Sequence, residues 1–328
     1  MTTRREFITL LGGAAAWPAV ARAQQSAMPV VGFVNAGSLE GYRPMVAAFR
    51  KGLQESGYAE GRDIAIEYHW AEGKNDRLPA IVADLVRRQV AVIAATSTPA
   101  ALAAKAATTS VPIVFEIGSD PIGLGLVASL NRPGGNVTGV TQLGLELAPK
   151  RLEVLHELLP TARVVALLVN PTNQAAAERA SRAMRSAAET LGLQLHVLNA
   201  SSEADFEGVV AELHQLRAGG LVLGGGDALL AGRARELAAL SLRHAVPAVG
   251  ANSEFVLAGG LAAYGGRIID AYRLTGVYTA RILKGEMPGE LPVQQSTKIE
   301  LSLNLRAAKA LGIKVPLSLL GRADEVIE

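Results

Sequence analysis

From Pro29 onward, short apolar runs alternate with longer segments whose apolar residues recur at helical spacing. The pattern predicts a strand over 29–34, a helix over 43–57 with Pro44 in its first turn, and a strand over 63–68. A helix follows over 76–88, where Leu78, Ile81, Val82 and Leu85 fall on one face. Val90, Val92 and Ile93 belong to the next strand, and the stretch AATSTPAALAAKAA (94–107) opens an alanine-rich helix. Thr96, Ser97 and Thr98 stand where an N-cap is wanted, and Pro99 where the first helical residue tolerates a missing N–H. A strand over 112–115 completes the pass. Strands alternating with helices in this way predict a parallel sheet covered by helices on both faces.

The rhythm then starts again, with strands over 162–169, 194–198, 220–223 and 247–250 and helices over 174–191, 203–217 and 228–244. The two passes echo each other: Val34-Asn35-Ala36-Gly37-Ser38 corresponds to Val169-Asn170-Pro171-Thr172-Asn173, and each first helix stops at a glycine, Gly57 or Gly192. A third part, with strands over 261–265 and 297–301 and helices over 267–283 and 305–311, is too short for a domain and is expected to complete the two sheets. The expected fold is α/β, with two similar doubly wound parallel-sheet lobes joined by a three-strand hinge. The first lobe takes 28–138 plus 262–294, and the second takes 139–258 plus 299–328. The chain crosses near 137–143, 256–265 and 294–301, with hinge strands near Thr138, Leu261 and Thr297.

The N-terminus changes this picture. Arg4-Arg5, an apolar stretch to Val20 and Ala21-Arg22-Ala23 form a charged region, a hydrophobic region and an A-x-A-like cleavage site. The paired arginines point to twin-arginine export, with cleavage near Ala23 and a periplasmic product. Loss of 1–23 removes Arg4, Arg5, Arg22 and Glu6, leaving 29 of the 32 basic and 29 of the 30 acidic residues, so the mature chain has no formal net charge. No basic run supports nucleic-acid binding. With no cysteine there is neither a disulfide nor a thiolate site, and no lipid-bearing cysteine to anchor the mature chain.

Open parallel sheets bind ligands beyond the carboxyl ends of their strands. The loops there are Asn35 to Ser38, Thr96 to Thr98 and Gly118-Ser119-Asp120 in one half, and Asn170 to Asn173, Gly224 to Asp227 and Asn252-Ser253-Glu254 in the other. Each alone could simply cap a helix or form a turn. Six in register, facing each other across a hinge, read as the two walls of one cleft. Catalytic motifs are missing: GGGD (224–227) lacks dinucleotide-loop spacing, there is no phosphate loop and no nucleophile elbow. His69, His156, His196, His214 and His244 lack metal-ligand spacing, so no metal and no cofactor are expected. Asp120 and Glu254 could pair as acid and base, but a ligand ammonium or a turn suits them better. The helix start at Ser97 and Thr98 offers its N–H groups to an anion, read as a ligand carboxylate. Asp120 or Asp227 suits an ammonium, and Tyr42, Phe115 or Tyr264 could cover an apolar side chain.

The stretches TPAALAAKA (98–106), SDPIGLGLVASLNRPGGNVTGV (119–140), LVNPTN (168–173), GGLAAYG (259–265) and NLRAAKALGI (304–313) carry a resemblance that runs nearly the whole length of the chain. The sequence resembles the ABC-transporter substrate-binding family that includes tryptophan-binding periplasmic proteins. NRPGGNVTG is the most specific of its matches. The resemblance implies a type I periplasmic-binding-protein fold, a small molecule clamped between lobes, and an inner-membrane ABC permease as partner. By position it implies ligand contacts at Ser97, Thr98, Ser119, Asp120, Asn170 to Asn173, Asp227 and Ser253; Gly37, Ser38 and Tyr264 join them as candidates. Tryptophan binders of the family tend to carry a Thr-Asp-Asn or Asp-Asn loop where this chain has Gly226-Asp227-Ala228, which leaves the ligand open. The expectation is a monomeric, non-enzymatic receptor for an amino acid or similar organic acid; a ligand receptor for a sensor kinase and an exported α/β enzyme are the alternatives. N-terminal sequencing of periplasmic protein is expected to begin after Ala23; Met1 retained in a membrane fraction is the opposing result.

Overall fold

The computed structural model describes residues 28–328 apart from Leu143, Leu145 and Thr297. The expected export signal and the expected strand position at Thr297 thus lie outside the described residues. The first pass gives β1 (Val30–Asn35), α1 (Leu39–Glu55), β2 (Ala65–Trp70), α2 (Leu78–Arg87), β3 (Val92–Ala95), α3 (Thr98–Ala107), β4 (Ile113–Ile117) and β5 (Val137–Gln142). The second gives α4 (Ala148–Leu158), β6 (Val164–Val169), α5 (Gln174–Thr190), β7 (Gln194–Asn199), α6 (Phe206–Gln215) and β8 (Gly220–Leu223). It continues through α7 (Ala228–Gly232), α8 (Ala234–Arg243), β9 (Ala248–Gly250), α9 (Ser253–Leu257) and β10 (Ala262–Gly265). The return passage adds α10 (Ile268–Leu283), β11 (Gln294–Ser296), β12 (Glu300–Asn304), α11 (Leu305–Ala310), α12 (Leu317–Leu320) and β13 (Glu325–Ile327).

Two sheets form, in the orders β11-β5-β4-β3-β1-β2 and β13-β12-β10-β9-β8-β6-β7. The first is parallel throughout. The second is parallel from β7 to β10, but β12 pairs antiparallel to β10 and carries β13 with it, so the expectation of two all-parallel sheets is corrected at that edge. The central strands β1, β3, β4, β6 and β8 are almost entirely buried, as strands covered on both faces must be. Helices α2 and α3 close one face of the first sheet, α1 and α10 the other. In the second lobe α4, α5 and α11 face α6, α8 and α9 across the sheet.

Two of the three crossings fall later than the sequence suggests, and the third lies within its expected range of 294–301. β5 stays in the first sheet to Gln142, and β10 stays in the second sheet to Gly265. Residues 139–142 and 262–265 therefore change lobes relative to the expected boundaries. The physical reason is that a short apolar strand carries no record of which sheet edge accepts its hydrogen bonds. The chain crosses between β5 and α4, between β10 and α10, and between β11 and β12. The helix expected over 228–244 is broken at Arg233, whose φ of −111° and ψ of 27° separate α7 from α8. Helix α4 carries no expectation from the sequence pattern.

α10 belongs to the first lobe because it packs along α1 with almost no separation. A Cβ at Gly276 would strike the Phe49 carbonyl, and one at Gly52 the Arg273 carbonyl, so the helices meet backbone to backbone. Alanine is intrinsically worth about 1 kcal/mol more than glycine in a helix interior. Gly276→Ala is nonetheless expected to destabilise the protein by roughly 1–3 kcal/mol through overpacking, read as a lower urea midpoint at unchanged m-value.

Candidate functional site

The cleft is built from a repeated device. Asn35, fully buried at the end of β1, donates from Nδ2 to the Thr96 hydroxyl (2.9 Å) and the Tyr272 hydroxyl (3.0 Å), while its Oδ1 accepts the Gly37 N–H (2.6 Å). Asn170, at the matching place after β6, accepts the Thr172 N–H on Oδ1 (3.0 Å) and donates to Asp227 (3.4 Å). In each lobe one asparagine turns its own loop and ties it to the loop after the next strand of the sheet, as Asx turns allow.

Asp227 is the hub of the second wall. It caps α7 by accepting the Leu229 N–H (3.0 Å) and the Leu230 N–H (3.2 Å), and it accepts from Asn170 and from Asn173 Nδ2 (3.2 Å). Burial pushes its carboxyl up from the ordinary range, against the pull of those four donors.

The lobes are in contact across the cleft. Tyr42 of α1 donates its hydroxyl to the Ala228 carbonyl (3.1 Å), Asn75 Nδ2 donates to the Thr172 carbonyl (3.2 Å), and Arg233 reaches Glu40 at 3.8 Å. A Cβ at Gly118 would sit 2.5 Å from the Cα of Gly226, so glycine lets the loop after β4 touch the loop after β8.

Two hollows between the lobes are walled by the strand-end loops; a third, about 520 Å³, lies between α1 and α7 to α9 and is lined by Glu40, Arg43, Met45, Arg235 and Glu254 among others. The outer one, about 320 Å³, is lined by Ala36, Gly37 and Ser38, by Glu72 to Asn75, by Asn170, Ser201 to Glu203 and Asp227, and by Arg233 among others. The Ser38 hydroxyl makes no cap for α1. The inner chamber, about 50 Å³, is walled by Tyr42, Thr96 to Thr98, Glu116 and Gln142 on one side and by Gly226, Asp227 and Asn252 on the other. Asp227 and Ala228 line both hollows, so the two adjoin.

Of the expected contacts, Gly37, Ser38, Ser97, Thr98, Asn170 and Asp227 lie on the walls of these hollows. Asn173 stands directly behind Asp227. The Ser97 hydroxyl is taken up internally, accepting the Ala36 N–H (3.2 Å) and the Ala100 N–H (3.4 Å), and the Thr98 hydroxyl pairs with Ser119 (3.3 Å). Asp120 caps its own turn by accepting the Ile122 N–H (3.0 Å) and lies outside both linings. Glu254 accepts the Ile269 N–H (3.3 Å) at the start of α10 and is also outside them, so the acid and base pairing with Asp120 does not assemble. Ser253 is buried with no partner for its hydroxyl among the described residues. Tyr264 packs on the core of the second lobe and Phe115 on that of the first, so of the three aromatic candidates Tyr42 alone lines a hollow.

Three charged residues escaped the sequence reading. Glu116 lies in β4, 4% exposed, and burial pushes its carboxyl up to about 8; Gln142 Nε2 donates to it at 2.6 Å. A glutamate inside a buried strand was the signal available. Arg151, on α4, is fully buried and donates to the Tyr264 carbonyl (2.9 Å) and the Ala251 carbonyl (3.4 Å); burial lowers it to about 10. Arg233 bridges Glu203 (3.3 Å) and Glu40 at the mouth. No group of three or more His, Cys, Asp or Glu that could hold a metal exists among the described residues.

The model for ABC transporter substrate binding proteins matches residues 29–327. The chain belongs to that family. A tyrosine-binding protein of Clostridioides difficile is 26% identical over 270 residues, covering 81% of this chain and 76% of the relative. A conserved domain protein from Vibrio cholerae superposes with a TM-score of 0.80 at 27% identity, covering 91% of this chain and 99% of the other. An ABC domain in complex with L-Trp from Streptococcus pneumonia gives a TM-score of 0.77 at 24% identity with the same coverage. The two-lobed α/β fold of the family member is therefore that of type I periplasmic binding proteins.

The raised carboxyls set the pH response of the ligand-free protein. Glu116 binds its proton more tightly folded than unfolded, so the stability it contributes is present below about pH 4.5 and falls as pH rises through about 8. Asp227 and Glu254 shift in the same direction. Thermal melts between pH 5 and 8 are expected to show Glu116→Gln gaining stability relative to the parent as pH rises; a constant difference would contradict the assignment.

Proposed function

We propose that this protein is the periplasmic solute-binding component of an ABC importer and that it clamps a carboxylate-bearing small molecule, an amino acid or similar organic acid, without transforming it. The observation that carries the reading is the outer hollow, whose walls are the strand-end loops of both lobes. A ligand held there contacts both lobes only when they are together, so its binding energy shifts the open and closed populations. The permease then has a closed, loaded form to distinguish from an open one. The tyrosine-binding relative and the L-Trp complex favour an amino acid as the cargo.

Affinity must come from both walls. A helix N-terminus contributes about 0.3–1 kcal/mol when exposed and roughly 2 when partly buried, whereas micromolar binding needs about 8 kcal/mol. The first lobe offers Gly37, Ser38 and the start of α3 at Ser97 and Thr98. Asn170 and Asp227 of the second must supply much of the remainder, at roughly 1.5–3 kcal/mol per charge-assisted hydrogen bond, with Asn173 acting through Asp227 and Ser253 from behind the walls. Ser119, Asp120 and Tyr264 then act from behind the walls.

A thermal-shift panel of amino acids, organic acids and sugars on the mature protein tests this. Ligand at about 100 times Kd stabilises by about 2.7 kcal/mol, a rise of roughly 4 °C for a protein of this size. Amino acids are expected to give the largest shifts, and X-ray scattering a smaller radius of gyration with ligand bound. Thr98→Val and Asn173→Ala are expected to weaken binding by calorimetry. An uncharged sugar as best ligand, or no compaction at saturation, would overturn the proposal.

A further inference from the structure

The inner chamber lies at the lobe interface, and its ionisable wall groups carry one sign of charge. Glu116 and Asp227 enter it from opposite lobes, and Tyr42 is the other ionisable group on its walls. Tyr272 of α10 stands behind Asn35 and Thr96. Burial and the Gln142 amide are the causes acting on Glu116, and no cation is among them. Arg151 lies behind the chamber's back wall of Gly144, Gly226 and Ala251, with its guanidinium bonded to the Ala251 and Tyr264 carbonyls. Among the described residues Gln142 donates to one oxygen of Glu116, and the other accepts from none.

A buried carboxylate without a cation is costly, and such a group either stays protonated or waits for a charged partner from outside. The chamber has room for one. A cavity of about 10–15 Å³ on this measure holds a water molecule, so about 50 Å³ admits a head group of a few heavy atoms. The body of the same ligand then extends past Asp227 into the outer hollow, which shares that residue.

We infer that the inner chamber is a subsite for a primary ammonium group, with Glu116 as the specificity-determining acceptor and Asp227 closing over it from the second lobe. This rests on the amino-acid reading above and narrows it: the cargo carries a cationic amine, and an organic acid without one is rejected. A carboxylate at the start of α3 is tolerated beside two acidic side chains because the ligand brings its own positive charge. Gln142 positions Glu116. Thr96 and Tyr42 complete the wall, and the closing lobe excludes water. Binding the ammonium ionises Glu116, so ligand uptake near neutral pH releases a proton.

The test is calorimetry at pH 7 with L-tyrosine and L-tryptophan, their deaminated analogues 3-(4-hydroxyphenyl)propionate and indole-3-propionate, and the amines tyramine and tryptamine. The parent protein is expected to bind the amino acids roughly 10- to 100-fold more tightly than the deaminated acids, the loss of one charge-assisted hydrogen bond. Glu116→Gln is expected to lose the same factor for the amino acids while binding the deaminated acids at least as well as the parent. Titrations in buffers of different ionisation enthalpy are expected to show proton release by the parent and less by the variant. The analogue series on the parent stands even where the variant folds poorly. Deaminated acids that bind as tightly as the amino acids overturn the subsite and leave the carboxylate reading intact. Amines that match the amino acids support the subsite and overturn the carboxylate. Failure of all six compounds to bind overturns both.

Discussion

The cleft depends on two buried asparagine side chains, Asn35 and Asn170, each at the carboxyl end of the first strand of its sheet. A buried amide must satisfy both its carbonyl and its amino group or lose several kcal/mol of solvation. Asn35 meets this demand with Gly37 on one side and with Thr96 and Tyr272 on the other. Asn170 meets it with Thr172 and Asp227. The polar groups that would otherwise compete for a ligand at the strand ends are thereby tied to one another. Among the groups still facing the hollows are Ser38, which caps nothing, and Glu116, with a single side-chain partner. The repeat therefore sets the walls rather than the specificity.

The hinge has a symmetry of its own. The fifth strand of each sheet, β5 or β10, is followed by a helix that crosses to the opposite lobe, α4 or α10. Each lobe is thus completed by a helix delivered through the hinge, so neither core closes without the crossing. Arg151 reinforces this in the second lobe. From the first turn of α4 it reaches the ends of β9 and β10, where the next crossing begins. Its charge is buried at the cost of desolvation, which suits a residue that fixes geometry better than one that adds stability. The lobes are then joined only through the three short connections between β5 and α4, β10 and α10, and β11 and β12, where the proposed lobe motion would have to occur.

Much of the architecture was legible in the sequence because it rests on local periodicity. The βα rhythm, the internal repeat and the strand-end loops all follow from runs such as 164–169 and 174–190, where apolar spacing and length agree. What escaped depends on pairing at a distance. The placement of 262–265 is settled by hydrogen bonds to β9 and β12, which the four residues Ala-Ala-Tyr-Gly do not encode. Helix α4 was lost in a segment read only as a crossing, and Arg151 with it. Ser97 and Thr98 were read correctly as a helix start, but the structure spends their hydroxyls on Ala36, Ala100 and Ser119, partners that only the fold brings near. Glu116 falls outside the strand expected over 112–115, which stops two residues short of the end of β4 at Ile117.

Closure brings opposed costs into one small space. The lobes can touch because glycines at 118 and 226 carry no side chains, and that contact forms part of the inner chamber's wall. The fold there buries two carboxyl groups, Glu116 and Asp227, and both respond by holding protons more tightly. Without a ligand this opposes the closed form as pH rises, since each ionised carboxylate must be buried. A cationic ligand reverses the sign, because its charge is worth more in the desolvated chamber than in the open cleft. Backbone complementarity makes the closed form possible, and the charge deficit makes it conditional. If the proposed ammonium subsite holds, the same residues would recognise the ligand and couple its presence to lobe closure, which is the differential interaction a population shift requires.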